Sequence, residues 1–166
     1  MTLASRFEER VADLGLDIPD YSRTPYSGLK YGTMKAHHQV GSVLYLSGHL
    51  PEAPDGSPLY PGRLGNEVSV DQGYEAARLT AVNCLAGIRH ALGDLDRVGG
   101  LIRSLNFVAC VPEFTDVNRV ASGATDLFRD VFGEDHGLGA RATIGVVSLS
   151  QNNCFENWLT VEVQNV

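Results

Sequence analysis

The sequence has no run of about 18 apolar residues, so no transmembrane helix is expected. It has no C-x-x-C and no H-E-x-x-H spacing, which removes the usual signatures of a zinc site. Cysteine is sparse: Cys84, Cys110 and Cys154 are odd in number and far apart. That pattern suits a reduced, cytosolic protein better than a disulfide framework. Basic residues are few, 13 Lys and Arg against 20 Asp and Glu, for a formal charge of −7. Phosphate binding runs on lysine and arginine, so this balance argues against nucleic acid or an anionic membrane as a partner. The N-terminus is charged and helix-like, unlike a signal peptide. There is no internal repeat and no low-complexity tract.

What is present fits one domain. At 166 residues the chain can bury a proper core. An apolar fraction of 43% and a charged fraction of 20% are those of an ordinary globular protein. Residues 3–14 place Leu3, Phe7, Val11 and Leu14 on one helical face, with Gly15 as the stop. Residues 15–32, with Pro19, Pro25, Gly28 and Gly32, form a surface connector. Met34 to Leu50 has a hairpin pattern, with Val40-Gly41-Ser42-Val43 as its turn. Ser69 with Gln72 predicts a capping box for a long helix to Leu92, stopped by Gly93. Its buried stripe is Tyr74, Ala77, Ala81, Cys84, Leu85, Ile88 and Leu92, which makes Cys84 a core residue. Leu101 to Val111 is a buried strand. A second helix is expected from about Phe114 to Phe132, ended by Gly133 and weakened in the middle by Gly123. The Gly137 and Gly139 loop lacks the strand-before, helix-after context of a phosphate loop. The order helix, β, β, helix, β, helix, β, β argues for an α+β layer, one mixed sheet with its helices on one face.

The stretch from Arg141 to Val166 carries the chemistry. It is expected as strand, polar turn (Ser150 to Asn153) and strand. In the second strand Phe155, Asn157, Leu159, Val161 and Val163 point one way, and Glu156, Trp158, Thr160 and Glu162 the other. Arg141 opens the first strand and Glu156 the second. If the two strands line one cleft, a guanidinium grips a ligand carboxylate while a carboxylate accepts a proton or directs a water. The same two residues can equally form a surface ion pair of little energetic weight.

Several motifs together resemble the RidA (YjgF/YER057c/UK114) family. They are Leu46-Ser47-Gly48-His49-Leu50-Pro51, the long helix ending Ala91-Leu92-Gly93-Asp94-Leu95-Asp96, Phe107-Val108 before Phe114-Thr115-Asp116, and Arg141 followed by strand, loop and Glu156. The resemblance covers residues 32–166, a RidA-like domain preceded by a helix and connector over 1–31. That helix, with Leu14-Gly15-Leu16, is similar to a longer-chain branch of the family.

The resemblance implies a chorismate-mutase-like fold: a mixed sheet with two main helices packed on one face, plus the N-terminal helix. It implies a homotrimer with ligand clefts between subunits. It further implies hydrolysis of a reactive enamine or imine carboxylate, such as 2-aminoacrylate, to a keto acid and ammonia, with no cofactor and no metal. The family's carboxylate-binding arginine falls on Arg141, its water-directing glutamate on Glu156 and its Ser-Gly on Ser47-Gly48. Its cleft asparagine falls on Asn118 or, with a different gap, on Ser122. The chain departs from the family at Met34, where a tyrosine is expected, at Leu149-Ser150, where Leu-Pro is expected, and over Asn152 to Phe155, which adds the Cys154 thiol.

Cys154 is a candidate cleft residue if the last strand begins early enough to put it beside Glu156; no cue depresses its pKa. His37 and His38 are adjacent in a strand and so face opposite sides, which argues against a metal cluster with His49. His49 follows Ser47-Gly48 and is a possible cleft residue. Trp158 is expected in the core or at a subunit interface. Two alternatives to the deaminase stay open. One is a relative recruited to water addition, dehydration or cyclisation at an imine carbon. The other is a non-catalytic trimer that binds a small carboxylate.

Overall fold

The computed structural model describes residues 6–24 and 33–164. Its elements run α1 (Arg6–Asp13), β1 (His37–Val40), β2 (Val43–Leu46), α2 (Val70–Leu92), β3 (Val98–Ala109), α3 (Val117–Gly137), β4 (Ala140–Val146) and β5 (Phe155–Val163). They follow the order expected from the sequence. Short 3-10 turns at Leu95–Arg97 and Ser150–Asn152 lead into β3 and β5.

The five strands form one mixed sheet in the order β1-β2-β5-β3-β4. All pairs are antiparallel except β3 with β4. The strict alternation of β5 sets the layers: Phe155, Asn157, Leu159, Val161 and Val163 are buried and the residues between them are not. Helices α2 and α3 cover the buried face, packing on β5, β3 and each other. The other face carries half-exposed Tyr45, Trp158 and Ile144.

Helix α2 starts where predicted. Ser69 accepts from the Gln72 amide while the Gln72 side chain reaches back to the Ser69 amide. It ends at Gly93 in the left-handed region, φ 83°. The buried surface of α2 is wider than one stripe, because Thr80 through Ile88 are all buried. The segment 50–52 explains this: the Asn83 amide donates to the carbonyls of Leu50 (2.8 Å) and Glu52 (3.0 Å), closing the helix's remaining side. Phe128, Leu85 and Ile88 are fully buried between the layers. Each such side chain stabilises the fold by about 1.5–3 kcal/mol relative to exposure.

Helix α3 starts at Val117 rather than Phe114. Gly133 (φ 75°, ψ 175°) interrupts the helix where the stop was expected, and a second short helical piece runs on past this kink to Gly137. Gly123 is a packing device rather than a weak point: a Cβ there would collide with the Tyr74 carbonyl oxygen of α2. The two helices therefore touch backbone to backbone, and the Tyr74 hydroxyl locks the pair through Asp126 at 2.9 Å.

Helix α1 joins the same core through Phe7 and Val11, while Leu14 is 41% exposed and leaves the expected stripe. Leu3, Pro25, Gly28 and Gly32 lie outside the described residues. The α1 N-terminal amides of Arg6 and Phe7 donate to the Asp96 carboxylate at 2.7 and 2.5 Å. Glu8 binds Arg89 of α2 through both carboxylate oxygens and accepts from the Leu95 amide. These contacts fix α1 to the end of α2.

Candidate functional site

The strand register decides which candidate residues meet. Glu156 of β5 pairs with Phe107 of β3, which pairs in turn with Ile144 of β4. Paired residues point to the same side, so all three sit on the open face. Arg141 of β4 pairs with Ser104, which pairs with Leu159. Ser104 and Leu159 are buried under the helices. Arg141 therefore points to the helix side, at the free edge of the sheet. Within one chain Arg141 and Glu156 are two strands apart on opposite faces. Neither the shared cleft nor the surface ion pair forms between them in a single subunit.

The Glu156 half of the site is compact. The β2 strand runs out through Ser47 and Gly48 to His49, which exchanges backbone hydrogen bonds with Asn157 at 2.9 Å each way. This lays the Gly48 backbone across the Glu156 carboxylate. A Cβ on Gly48 would overlap Glu156 Oε1 and come within 2.9 Å of Trp158 Nε1. Only glycine admits the carboxylate here. Trp158 Nε1 donates to Glu156 Oε1 at 2.7 Å. Burial raises the Glu156 pKa above the ordinary carboxylate value, and the Trp158 hydrogen bond partly opposes the rise. The Ser47 hydroxyl is turned away, donating to the Lys35 carbonyl at 2.5 Å. Met34, at the position where the family resemblance leads one to expect a tyrosine, is 43% exposed one residue earlier.

The Arg141 half lies between β4 and α3. Arg141 Nη1 donates to Thr125 Oγ1 at 3.1 Å. Asn118, Ser122 and Thr125 are spaced i, i+4 and i+7, so they share one face of α3. Both candidates for the cleft asparagine thus stand on the side of α3 that carries Thr125. The Ser122 hydroxyl donates back to the Asn118 carbonyl at 3.0 Å. Beside Arg141 is a pocket of about 160 Å³, lined by Leu101, Ser104, Thr125, Phe128 and Leu138 among others.

Two candidates leave the site. Cys154 precedes β5 instead of opening it, and is fully buried with Sγ 4.0 Å from the Leu59 carbonyl. Burial pushes its thiol up to about 11, so it neither lines a cleft nor supplies a thiolate. His49 points into the core, its Nδ1 2.7 Å from the Ser47 carbonyl oxygen and its ring against Gly87. Burial lowers its pKa to about 4 and keeps it neutral. Trp158 is half exposed rather than core. His37 is half-buried and His38 exposed, as their alternation requires, and the His37 ring lies 5.8 Å from His90. Among the described residues no group of three or more His, Cys, Asp or Glu is placed to hold a metal ion, and no helix is long and apolar enough to cross a membrane.

Sequence reasoning missed two partners, Thr125 for Arg141 and Trp158 for Glu156. Both carried a signal. Thr125 continues the polar row begun by Asn118 and Ser122, and Trp158 follows Glu156 by two residues in a strand. It also missed the buried network beneath the sheet, where Asn157 Nδ2 donates to Ser104 Oγ (2.8 Å) and Asn106 Oδ1 (2.7 Å). Asn106 in turn donates to the Ala142 carbonyl of β4. That network fixes the relative positions of the strands bearing Glu156 and Arg141.

This five-stranded layer, with a half-buried carboxylate under a glycine and an arginine at its edge, defines the class. Residues 8–155 match the family described as "YjgF/chorismate mutase-like, putative endoribonuclease". The chain belongs to this family, the RidA (YjgF) family. It is 39% identical over 125 residues to Protein TCP17 of Trypanosoma cruzi, covering 75% of this chain and 78% of that protein. The crystal structure of a protein of unknown function from Agrobacterium tumefaciens matches with a TM-score of 0.83 and 35% identity, covering 96% of this chain and 94% of the other. The crystal structure of a "putative endoribonuclease" from Shewanella oneidensis matches with a TM-score of 0.85 and 28% identity, covering 95% of this chain and 99% of the other.

Proposed function

We propose that the protein is a cofactor-free enamine/imine deaminase that hydrolyses a small imine carboxylate to a keto acid and ammonia. The observation that carries the reading is the Glu156 carboxylate. It is held by a neutral donor, and burial raises its basicity. A carboxylate whose pKa is raised toward the working pH is better matched to taking and returning a proton. The enamine first tautomerises to the imine. Water then adds to the protonated imine carbon as Glu156 takes a water proton. Glu156 returns that proton to the carbinolamine nitrogen, and ammonia leaves as the hydroxyl gives up its proton to Glu156, leaving the carbonyl. The Arg141 guanidinium can hold the substrate carboxylate throughout with two parallel N–H donors. That grip supplies the orientation on which the water's attack depends.

The placement of Arg141 and Glu156 on opposite faces favours a site made by two chains. The half-exposed Trp158, Tyr45 and Ile144 on the open face are what a neighbouring subunit would cover. In this reading the Arg141 edge of one subunit meets the Glu156 face of the next in a closed homotrimer. The formal charge of −7 weighs against RNA as the substrate, because no excess of cations is available to hold a phosphate backbone.

The test is Arg141→Lys and Arg141→Ala, assayed on 2-iminopropionate generated in situ. Lysine keeps the charge and loses the two-pronged grip. The expected loss in kcat/KM is at least about tenfold for lysine, with a larger loss for alanine. Wild-type rates in both variants would make Arg141 structural and defeat the reading.

A further inference from the structure

We infer that Trp158 is a positioning residue for Glu156: its indole N–H fixes Oε1, so that Oε2 alone faces the reacting molecule. The inference rests on the reading of Glu156 as the proton-transfer group. Three observations carry it. The Nε1 to Oε1 distance is 2.7 Å, short for a nitrogen donor and typical of a bond to a charged acceptor. The indole is itself held, with its ring centroid 4.9 Å from that of Phe107, which stands on the same face as the register partner of Glu156. Gly48 closes the other side of the same oxygen, leaving Oε1 between a backbone and an indole. An indole N–H is a donor only, so it can hold the oxygen and cannot carry the proton away. The carboxylate is thus made asymmetric before any ligand arrives, with its rotamer freedom already spent.

The remaining charged and titratable groups that the register places on this face are Tyr45 on β2, Arg103 on β3, Glu162 on β5 and, paired with Tyr45 and one strand further out, His38 on β1. The first two pair with Thr160. Thr160 lies four residues along the strand from Glu156, roughly 13 Å at the usual rise. They are too distant to orient the carboxylate, and none of them figures among the causes of its shift. Loss of the Trp158 donor should therefore raise the Glu156 pKa further, since that bond is the influence that lowers it.

The chain holds a single tryptophan, so the protein gives one indole N–H resonance. In the wild-type protein that resonance should titrate with the Glu156 carboxyl, and in Glu156→Gln it should be flat across the same pH range. In Trp158→Phe the carboxyl should titrate about one unit higher, the effect of losing one charge-assisted hydrogen bond. For imine hydrolysis, kcat of Trp158→Phe should fall about tenfold near neutral pH with KM little changed. The wild-type indole measurement needs no substitution at Trp158 and stands even if Trp158→Phe does not fold. An indole resonance that ignores pH in the wild type, or a Glu156 titration unmoved in a folded Trp158→Phe, overturns the inference. A wild type inactive on imines would defeat the deaminase reading alone, because both titrations are independent of turnover.

Discussion

Gly48 and Glu156 share one small volume: a Cβ on the first would lie 2.0 Å from Oε1 of the second. Gly48→Ala is expected to leave the fold intact and to push the carboxylate off its place. A displacement of about 1 Å at a reacting group can cost on the order of a hundredfold, and kcat/KM should fall by about that much. Steady-state kinetics on an imine substrate check this, and an unchanged rate would separate Glu156 from the chemistry.

Glu156 should also carry a stability penalty. Its folded pKa is raised, so its favourable contribution is present below the ordinary carboxylate range and is lost as pH rises through the folded value. Ionised Glu156 therefore works against folding at neutral pH. Glu156→Gln should raise the urea midpoint at pH 7 and gain less, or nothing, at pH 4. A variant equally stabilised or destabilised at both values would contradict the assignment.

His49 makes the opposite prediction. Its pKa is lowered from 6.5 to about 4 by burial. The neutral ring's contribution is full above about 6.5 and is lost as pH falls toward about 4. One proton over that window corresponds to about 3 kcal/mol. His37, lowered chiefly by burial as well, adds to the same slope. Urea titrations between pH 7 and pH 4 should show stability falling, and His49→Gln should flatten the curve.

Much of this architecture was legible in the sequence. The Ser69–Gln72 capping box, Gly93, and the alternation of β5 are local signals, and each matches the structure in place and kind. The face of Glu156 was also legible, because a strand's period is two. Arg141 was not, because its face depends on its register with β3, and nothing local fixes a parallel pairing across an intervening helix. Gly123 was misjudged for a related reason: its value lies in the distance to Tyr74 of another helix. Cys154 was uncertain by one residue of strand start, which is all that separates a cleft side chain from a core one.

Thiol chemistry offers an independent check on Cys154. In the folded protein Cys84 and Cys154 are fully buried and Cys110 is partly exposed. A thiol reagent should modify Cys110 first, and all three only on unfolding. Cys154→Ala should hydrolyse imines within about twofold of wild type, because water is the nucleophile in the proposed reaction. A loss of a hundredfold would call for a thiol-dependent route instead.

The most direct measurement is complementation between two inactive variants. Arg141→Ala and Glu156→Gln are each expected to lose most imine hydrolase activity. If every site takes Arg141 from one subunit and Glu156 from its neighbour, subunits of the two variants mixed in equal amounts and reassembled will rebuild complete sites. Random closed assembly restores about a quarter of them, and about a quarter of the wild-type rate should return. No recovery above the parent variants, with subunit exchange demonstrated by differential tags, would contradict a site shared between chains.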